Sequence, residues 1–222
     1  MTTKKKYLSY GKLIMYIVIF FIVWSIQRLF GRPALLNHFD GLAFELVDSA
    51  IKILIWIGFA LWMLRRFDSN FWLGLKEMFN NKPPVLVTSI YFVLVGIIAL
   101  LVSVSVSGNL RISETFSPVM LIAPVLVAGI TEELVFRGFI LNSLLKKTRK
   151  SLAIAIDASL FALIHFPIWI HLGLNLPTIL INSAFAIFFS VVLSFSFIKT
   201  KSLLVPISLH MFYNLIVTLF NF

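Results

Sequence analysis

Cysteine is absent from the 222 residues of this chain. Its absence excludes disulfide bonds, thiolate nucleophiles, thiolate metal sites and lipid attachment through a thiol. Charged residues are also scarce, at 13%, whereas hydrophobic residues make up 60%. A water-soluble globule is roughly half apolar and about a quarter charged, so this chain has too few polar side chains to cover a surface that faces water. The composition therefore predicts a protein whose main solvent is lipid.

Seven apolar runs are long enough to cross a hydrocarbon layer of about 30 Å as helices. The segments between them are short, and no linker or repeat separates a second domain. We therefore expect one all-α integral membrane domain over residues 1–222, a polytopic bundle of about seven helices. The first run is longer than a signal-peptide core and lacks a cleavage pattern, so we expect a retained helix. The runs cover residues 13–30, 44–64, 85–106, 118–145, 152–170, 177–198 and 203–222.

Lys and Arg are distributed unequally between the two sides that seven spans define. Three of them, Arg28, Arg32 and Arg111, lie on one side. Because cytoplasmic loops carry the excess of Lys and Arg, the other side and the amino terminus are predicted to be cytoplasmic, in a multi-pass protein of the cell membrane. The net charge of +10 then reflects topology and contact with lipid head groups rather than nucleic-acid binding. The cytoplasmic set comprises Lys4, Lys5, Lys6, Lys12, Arg65, Arg66, Lys76, Lys82, Lys146, Lys147, Arg149, Lys150, Lys199 and Lys201.

The connection over residues 67–84 is rich in aromatic side chains. Phe71, Trp72, Leu75 and Phe79 are spaced like one face of a helix. This spacing predicts a helix that lies in the cytoplasmic interface of the membrane.

Charged residues inside the predicted spans need a partner or a function, because each costs at least about 2.5–3.5 kcal/mol at the middle of a bilayer. Asp48 and Lys52 are four residues apart in the second span, and we interpret them as a neutralised structural pair. Asp157 lies near the cytoplasmic end of the fifth span, where snorkelling or a Ser or Asn partner accounts for it.

The fourth span carries three charged residues within six positions, Glu132, Glu133 and Arg137. Glu133 and Arg137 are four residues apart with the acid first, which is the favourable order for an ion pair on a helix. Glu132 lies about 100° further round the helix and does not share that geometry. We therefore expect Glu132 to be the freer carboxylate.

Polar side chains of two other spans are expected at the same depth. A rise of about 1.5 Å per residue places His210 about 11 Å, Asn214 about 17 Å, and both Glu132 and His165 about 20 Å from the cytoplasmic ends of their helices. A single buried His is more often a packing residue than a catalyst. Here three helices bring His, Asn, Glu and Arg side chains to one level, which indicates a candidate catalytic site.

These residue types suit hydrolysis of a peptide bond. One Glu can act as a general base on water, a His and an Asn can stabilise the oxyanion, and the second His can orient the water or protonate the leaving amine. The alternative is zinc held by Glu132, His165 and His210 with water as fourth ligand. The His-Glu-x-x-His motif is absent and no two His are three to five residues apart, so we expect no metal and no other cofactor. The Gly-x-Ser-Gly and Gly-x-Gly-Asp signatures are absent as well.

Three motifs in one order resemble the CAAX protease and bacteriocin-processing family, also called CPBP or Abi, a family of intramembrane endopeptidases. The resemblance covers residues 118–214 and implies a catalytic core there. The motifs are Glu132-Glu133-x-x-x-Arg137, Phe161-x-x-x-His165 and His210-x-x-x-Asn214.

The resemblance implies a role for each motif. Glu132 or Glu133 would activate water with the help of His165, and His210 with Asn214 would form the oxyanion hole. Arg137 and Phe161 would support the site. The implied substrate is a membrane-associated peptide, such as a prenylated tail, a peptide leader or a segment of another membrane protein.

Two positions depart from the family pattern. Ser190 and Ser194 stand near positions at which the family tends to carry glycine, and we expect serine there to preserve close helix packing. A non-catalytic bacteriocin immunity or partner-binding protein remains an alternative function. A proton-coupled transporter is a third, and the lack of an inverted repeat disfavours it.

Overall fold

The computed structural model describes residues 7–221, and within that range the secondary structure is helical without strands. Lys4, Lys5 and Lys6, which belong to the predicted cytoplasmic set, and Phe222, at the end of the last predicted span, lie outside the described residues. The helices are α1 (Tyr10–Leu36), α2 (Gly41–Arg66), α3 (Leu75–Asn80), α4 (Val85–Ser107), α5 (Pro118–Leu145), α6 (Lys150–Leu163), α7 (Phe166–His171), α8 (Leu176–Thr200) and α9 (Leu204–Asn221).

Six helical stretches within residues 7–221 are long and apolar enough to cross a membrane. They are α1, α2, α4, α5, α8 and the combined stretch of α6 and α7. The apolar helix α9 has 18 residues, which corresponds to a length of about 27 Å. The prediction of an all-helical, multi-pass membrane bundle of about seven helices is therefore confirmed, and the predicted limits differ from the observed ones by a few residues.

The outer faces of the peripheral helices expose large aliphatic side chains. Leu54, Leu101 and Ile181 are 73%, 63% and 69% exposed, respectively. Soluble monomers rarely expose contiguous apolar surface of this kind, whereas lipid chains solvate it without cost. These faces therefore fit contact with lipid.

Helix α5 lies at the centre of the bundle. Every residue from 131 to 144 is buried, and the helix contacts α2, α6, α8 and α9. Its backbone widens into π-helical turns over Ile122–Val127 and Leu134–Leu141, a feature that is frequent at functional sites. Gly129 allows α9 to approach closely, because a Cβ atom there would collide with the Met211 side chain and lie 3.3 Å from the Met211 nitrogen.

Hydrogen bonds join distant loops at the end of the bundle that carries most of the Lys and Arg residues. The Leu73 nitrogen donates to Asn142 Oδ1 at 2.8 Å, and Asn142 Nδ2 donates to the Leu73 carbonyl at 2.8 Å. The Leu203 nitrogen donates to the Met78 carbonyl, also at 2.8 Å. The connections between the spans therefore form a closed base for the bundle.

The segment 67–84 belongs to this base, and the prediction of one interfacial helix face was wrong. The chain forms a single 3₁₀ turn at Asp68–Asn70 and the short helix α3. Phe71 is buried with its ring 6.1 Å from that of Phe139, and the Trp72 ring lies 6.1 Å from that of Phe197. The aromatic residues close the end of the core because burial between helices removes more apolar surface from water than a position in the interface.

The predicted fifth span is interrupted between α6 and α7. Pro167 occupies the first turn of α7, where a missing N–H is tolerated, whereas proline in a helix interior breaks the hydrogen-bond pattern. The His165 nitrogen donates to the Ala162 carbonyl at 3.1 Å in a tight turn. His165 therefore lies at the junction of two helices rather than within a regular one.

Candidate active site

Glu133 lies at the centre of a fully buried charge cluster. Arg137 Nη1 donates to Glu133 Oε1 at 3.0 Å, as the spacing of four residues predicts. His210 Nδ1 lies 2.7 Å from the same carboxylate oxygen. Because a carboxylate only accepts hydrogen bonds, Nδ1 of His210 carries the proton in this contact. The polar side chains of α5 and α9 thus meet at one level, as the depth estimate predicts.

Arg137 extends the cluster to α6 and α8. Its Nη2 donates to the Ser190 carbonyl at 2.8 Å and to Ser190 Oγ at 2.7 Å. Its Nε lies 3.7 Å from Asp157 Oδ2, which also accepts a bond from Ser194 Oγ at 3.1 Å. Asp157 is fully buried, so snorkelling was the wrong explanation and the Ser partner was the right one. Ser190 and Ser194 bind charged groups in addition to packing.

Glu132 forms an ion pair with Lys52 of α2. Lys52 Nζ donates to Glu132 Oε1 at 2.7 Å, and both residues are buried. Lys52 Nζ also lies 5.0 Å from the centre of the Trp56 ring. Glu132 thus has a cation that the sequence analysis did not assign to it, supplied by a helix distant in sequence, but it accepts fewer hydrogen bonds than Glu133 and lines the cavity, so it is the freer of the two carboxylates.

The predicted pair of Asp48 with Lys52 was wrong, because other helices supply the partners of both residues. Asp48 Oδ2 accepts a hydrogen bond from Arg28 Nη1 at 2.9 Å and lies 3.6 Å from Arg32 Nε. The Arg28 guanidinium stacks over the Trp24 ring at 4.2 Å. Cations of α1 therefore neutralise Asp48, which leaves Lys52 for Glu132.

His165 faces Glu132 from the junction of α6 and α7. His165 Nδ1 lies 2.7 Å from the Phe161 carbonyl oxygen, and its Nε2 lies 3.8 Å from Glu132 Oε2. A carbonyl oxygen only accepts, so Nδ1 is the donor and Nε2 of the neutral ring presents a lone pair to Glu132. Phe161 packs its ring 5.2 Å from His165 and 6.0 Å from His210, and it supports both residues.

A cavity of about 660 Å³ lies beside Glu132 and His165. Its wall is built by α1, α2, the beginning of α5, and the junction with α7. The volume falls within the range of about 300–1,000 Å³ that is usual for ligand sites. Of the predicted catalytic residues, Glu132 and His165 line the cavity.

A comparison with protein families gives a match over the part of the chain that carries the three motifs. Residues 114–216 match the model of the family described as type II CAAX prenyl endopeptidase Rce1-like. This part of the chain is similar to that family. The resemblance carried by the three motifs is thereby confirmed, and the CAAX endopeptidase family supports an intramembrane protease fold. No curated protein and no solved structure matches the chain.

Asn214 lies within the CAAX endopeptidase match and contacts the cavity wall from behind, through the lining residue Pro124. Its Nδ2 donates to the Pro124 carbonyl at 2.6 Å. Pro124 belongs to a π-helical turn of α5, in which the Ala128 N–H binds the carbonyls of Ala123 and Val125 and leaves that of Pro124 for another donor. Asn214 thus secures this irregular turn and has one further amide hydrogen to donate.

The three residues considered as zinc ligands do not form a metal site as placed. Within residues 7–221, no group of three or more His, Asp or Glu side chains is arranged to hold a metal ion. Glu132 Oε1 is bound to Lys52, and His210 Nδ1 is bound to Glu133. The three side chains are therefore not gathered as one set of metal ligands.

Lys52 is the site residue that the motifs do not reveal, because it lies outside the CAAX endopeptidase match. The sequence nevertheless contains a signal for it. Counted from the end of α2 at Arg66, Lys52 is about 21 Å deep, whereas Glu132 is about 20 Å deep on α5. A buried cation and a buried carboxylate at one depth in neighbouring helices indicate a pair.

Proposed function

We propose that this protein is an intramembrane endopeptidase in which Glu132 and His165 activate a water molecule against a peptide carbonyl. One observation carries the proposal: the separation of 3.8 Å between Glu132 Oε2 and His165 Nε2 at the cavity wall. The match of residues 114–216 to the CAAX endopeptidase family supports a peptidase.

The two facing atoms are both acceptors. His165 Nδ1 donates to the Phe161 carbonyl, so the neutral ring offers a lone pair at Nε2, and the Glu132 carboxylate offers lone pairs at Oε2. Two acceptors do not bond to each other, but one water molecule can donate a hydrogen to each of them. A water bound in this way directs its own lone pairs away from both groups, toward a carbonyl carbon in the cavity.

The proposed reaction balances without any other reactant. The water oxygen bonds to the carbonyl carbon while Glu132 takes one of its protons, and the carbonyl oxygen becomes an oxyanion. The C–N bond then breaks as the carbonyl re-forms, and the proton passes from Glu132 to the leaving nitrogen. The products are a carboxylic acid and an amine. Lys52 compensates the charge of Glu132 before the proton is transferred.

We assign Glu133 to a positioning role, because it is fully buried and bound to both Arg137 and His210. His210 and Asn214 are the proposed oxyanion donors. His210 serves this role through Nε2, which requires a proton on both ring nitrogens since Nδ1 is engaged by Glu133. Asn214 serves it through the amide hydrogen that is not bound to Pro124.

The test compares membranes from cells that carry the native protein or the Glu132→Gln variant. Peptides with new termini are identified by mass spectrometry, and the best substrate is then assayed with purified protein. General-base catalysis contributes typically about 10²–10⁴-fold, and we expect Glu132→Gln to lose about that much. Glu114→Gln is the matched control, because Glu114 is exposed in the loop before α5, and it should cleave like the native protein.

The same assay separates the alternatives. Activity that survives a chelator supports water activation by Glu132, whereas loss with the chelator and recovery with zinc would favour the metalloprotease. If His165→Ala, His210→Ala and Glu132→Gln all keep full protection against a bacteriocin, the non-catalytic immunity function is supported and the protease is rejected.

A further inference from the structure

We infer that the cavity admits a peptide segment from the extracytoplasmic side of the membrane, and not the carboxyl-terminal tail of a cytoplasmic protein. The inference rests on the proposed peptidase function and names the class of substrate for the same site. It follows from three observations: where the cavity opens, what closes its other end, and which end of the bundle carries the basic residues.

The cavity opens where α1 ends and where α2 and α5 begin. Leu42 and Leu172, at the mouth, are 49% and 61% exposed. Trp56, Lys52 and Glu132, deeper in the cavity, are 1%, 8% and 7% exposed. Exposure thus falls from the mouth toward the proposed catalytic carboxylate, which lies about midway along α5.

Packed side chains close the path from Glu132 toward the opposite end. The Trp56 ring lies 6.1 Å from that of Phe136. Phe136, Phe139 and Met63 are fully buried directly beyond it, at positions nearer to the ends of α5 and α2. Interiors packed in this way leave few voids larger than a water molecule. A peptide cannot reach Glu132 from that end without separating α2 from α5.

The closed end is the basic end. It carries the loops around Arg65, Lys82, Lys147 and Lys201, whereas Arg32 lies at the mouth. Since the excess of Lys and Arg marks the cytoplasmic side, the mouth faces the extracytoplasmic side. In this chain, the CAAX endopeptidase fold is thus open to substrates on the extracytoplasmic side.

The lining indicates what enters. The wall includes the aromatic rings of Trp24, Phe44 and Trp56, and the Arg32 guanidinium lies at the rim, 3.6 Å from Asp48 Oδ2. An apolar wall with a few polar groups fits a short peptide segment with a bulky apolar side chain. That side chain would fill the space beside Trp56 while its carbonyl lies against Glu132.

The absence of cysteine makes the direction of access measurable, because single cysteines can be introduced into the native chain. Ser117→Cys probes the mouth, Ser49→Cys probes the interior of the cavity, and the matched control Ser151→Cys probes the basic end. A membrane-impermeant, charged maleimide is added to intact cells. We expect labelling of Ser117→Cys and Ser49→Cys, and labelling of Ser151→Cys only after permeabilisation.

The reverse labelling pattern, or a Ser49→Cys variant that reacts only from the cytoplasm or from neither side, would overturn the inference. A second measurement uses proteoliposomes and quenched fluorogenic peptides of randomised sequence, supplied outside or enclosed inside. Cleavage is expected only for peptides supplied on the side to which the mouth of the cavity opens. The Glu132→Gln variant is the inactive control. Cleavage only from the basic side overturns the direction of access and leaves the peptidase standing. If neither side gives cleavage, the peptidase fails, and the labelling alone decides the direction of access.

Discussion

Replacing Lys52 by methionine is expected to destabilise the protein strongly. The ion pair with Glu132 is 2.7 Å long, and both residues are more than nine-tenths buried. Removing one partner of a buried pair leaves an uncompensated charge, which costs about 3–5 kcal/mol. Loss of the cation above the Trp56 ring adds about 0.5–2 kcal/mol to that cost. We therefore expect the free energy of unfolding of Lys52→Met to fall by at least about 3 kcal/mol.

The double variant Lys52→Met with Glu132→Gln separates charge from packing. Neither member then carries a charge, so most of the lost stability should return, and the two changes should be coupled by more than the 0.5 kcal/mol or so expected for independent sites. Unfolding is measured in detergent micelles by titration with a denaturing detergent. Lys76→Met is the matched control, because Lys76 is exposed at the basic end, and it should stay within about 0.5 kcal/mol of the native protein. A stable Lys52→Met variant, or strict additivity in the double variant, would refute the pairing.

Two further substitutions test the packing around the site. Gly129→Ala should separate α5 from α9 and lower the thermal midpoint of unfolding, because the added Cβ collides with Met211. Gly58→Ala is the control, since its Cβ meets open space and should not lower the midpoint. Equal midpoints for the two variants would contradict the close approach of α5 and α9. Asn142→Ala should lower the free energy of unfolding by about 1–3 kcal/mol, because both main-chain groups of Leu73 lose their buried partner. A variant as stable as the native protein in the same detergent titration would argue against these two hydrogen bonds.

The sequence predicts most of the fold because lipid imposes a simple rule on it. Each span must be a helix of a certain length, so composition and run length are enough to locate the helices. The structure of segment 67–84 could not be predicted in this way, because the segment connects two spans and its aromatic residues pack between helix ends. The interruption before Pro167 is visible in the sequence only as a proline, which a membrane helix often tolerates.

The site is predictable where it depends on local spacing and unpredictable where it depends on tertiary contact. Glu133 and Arg137 pair because four residues make one helical turn. Lys52 stands at the same spacing from Asp48, yet Arg28 binds Asp48 and Lys52 binds Glu132. Local spacing gives each charge one possible partner, and the packing of α1 against α2 decides which partner it takes.

The hydrogen bonds that close the base of the bundle also determine which parts of it can move. Three hydrogen bonds connect the helix ends at the basic side, two between Asn142 and Leu73 and one between Leu203 and Met78. The mouth is lined instead by side chains of helix termini, several of them exposed. Hydrogen bonds between helix ends resist their separation, so we expect the basic end to be the more rigid end of the bundle, and local opening to be confined to the mouth.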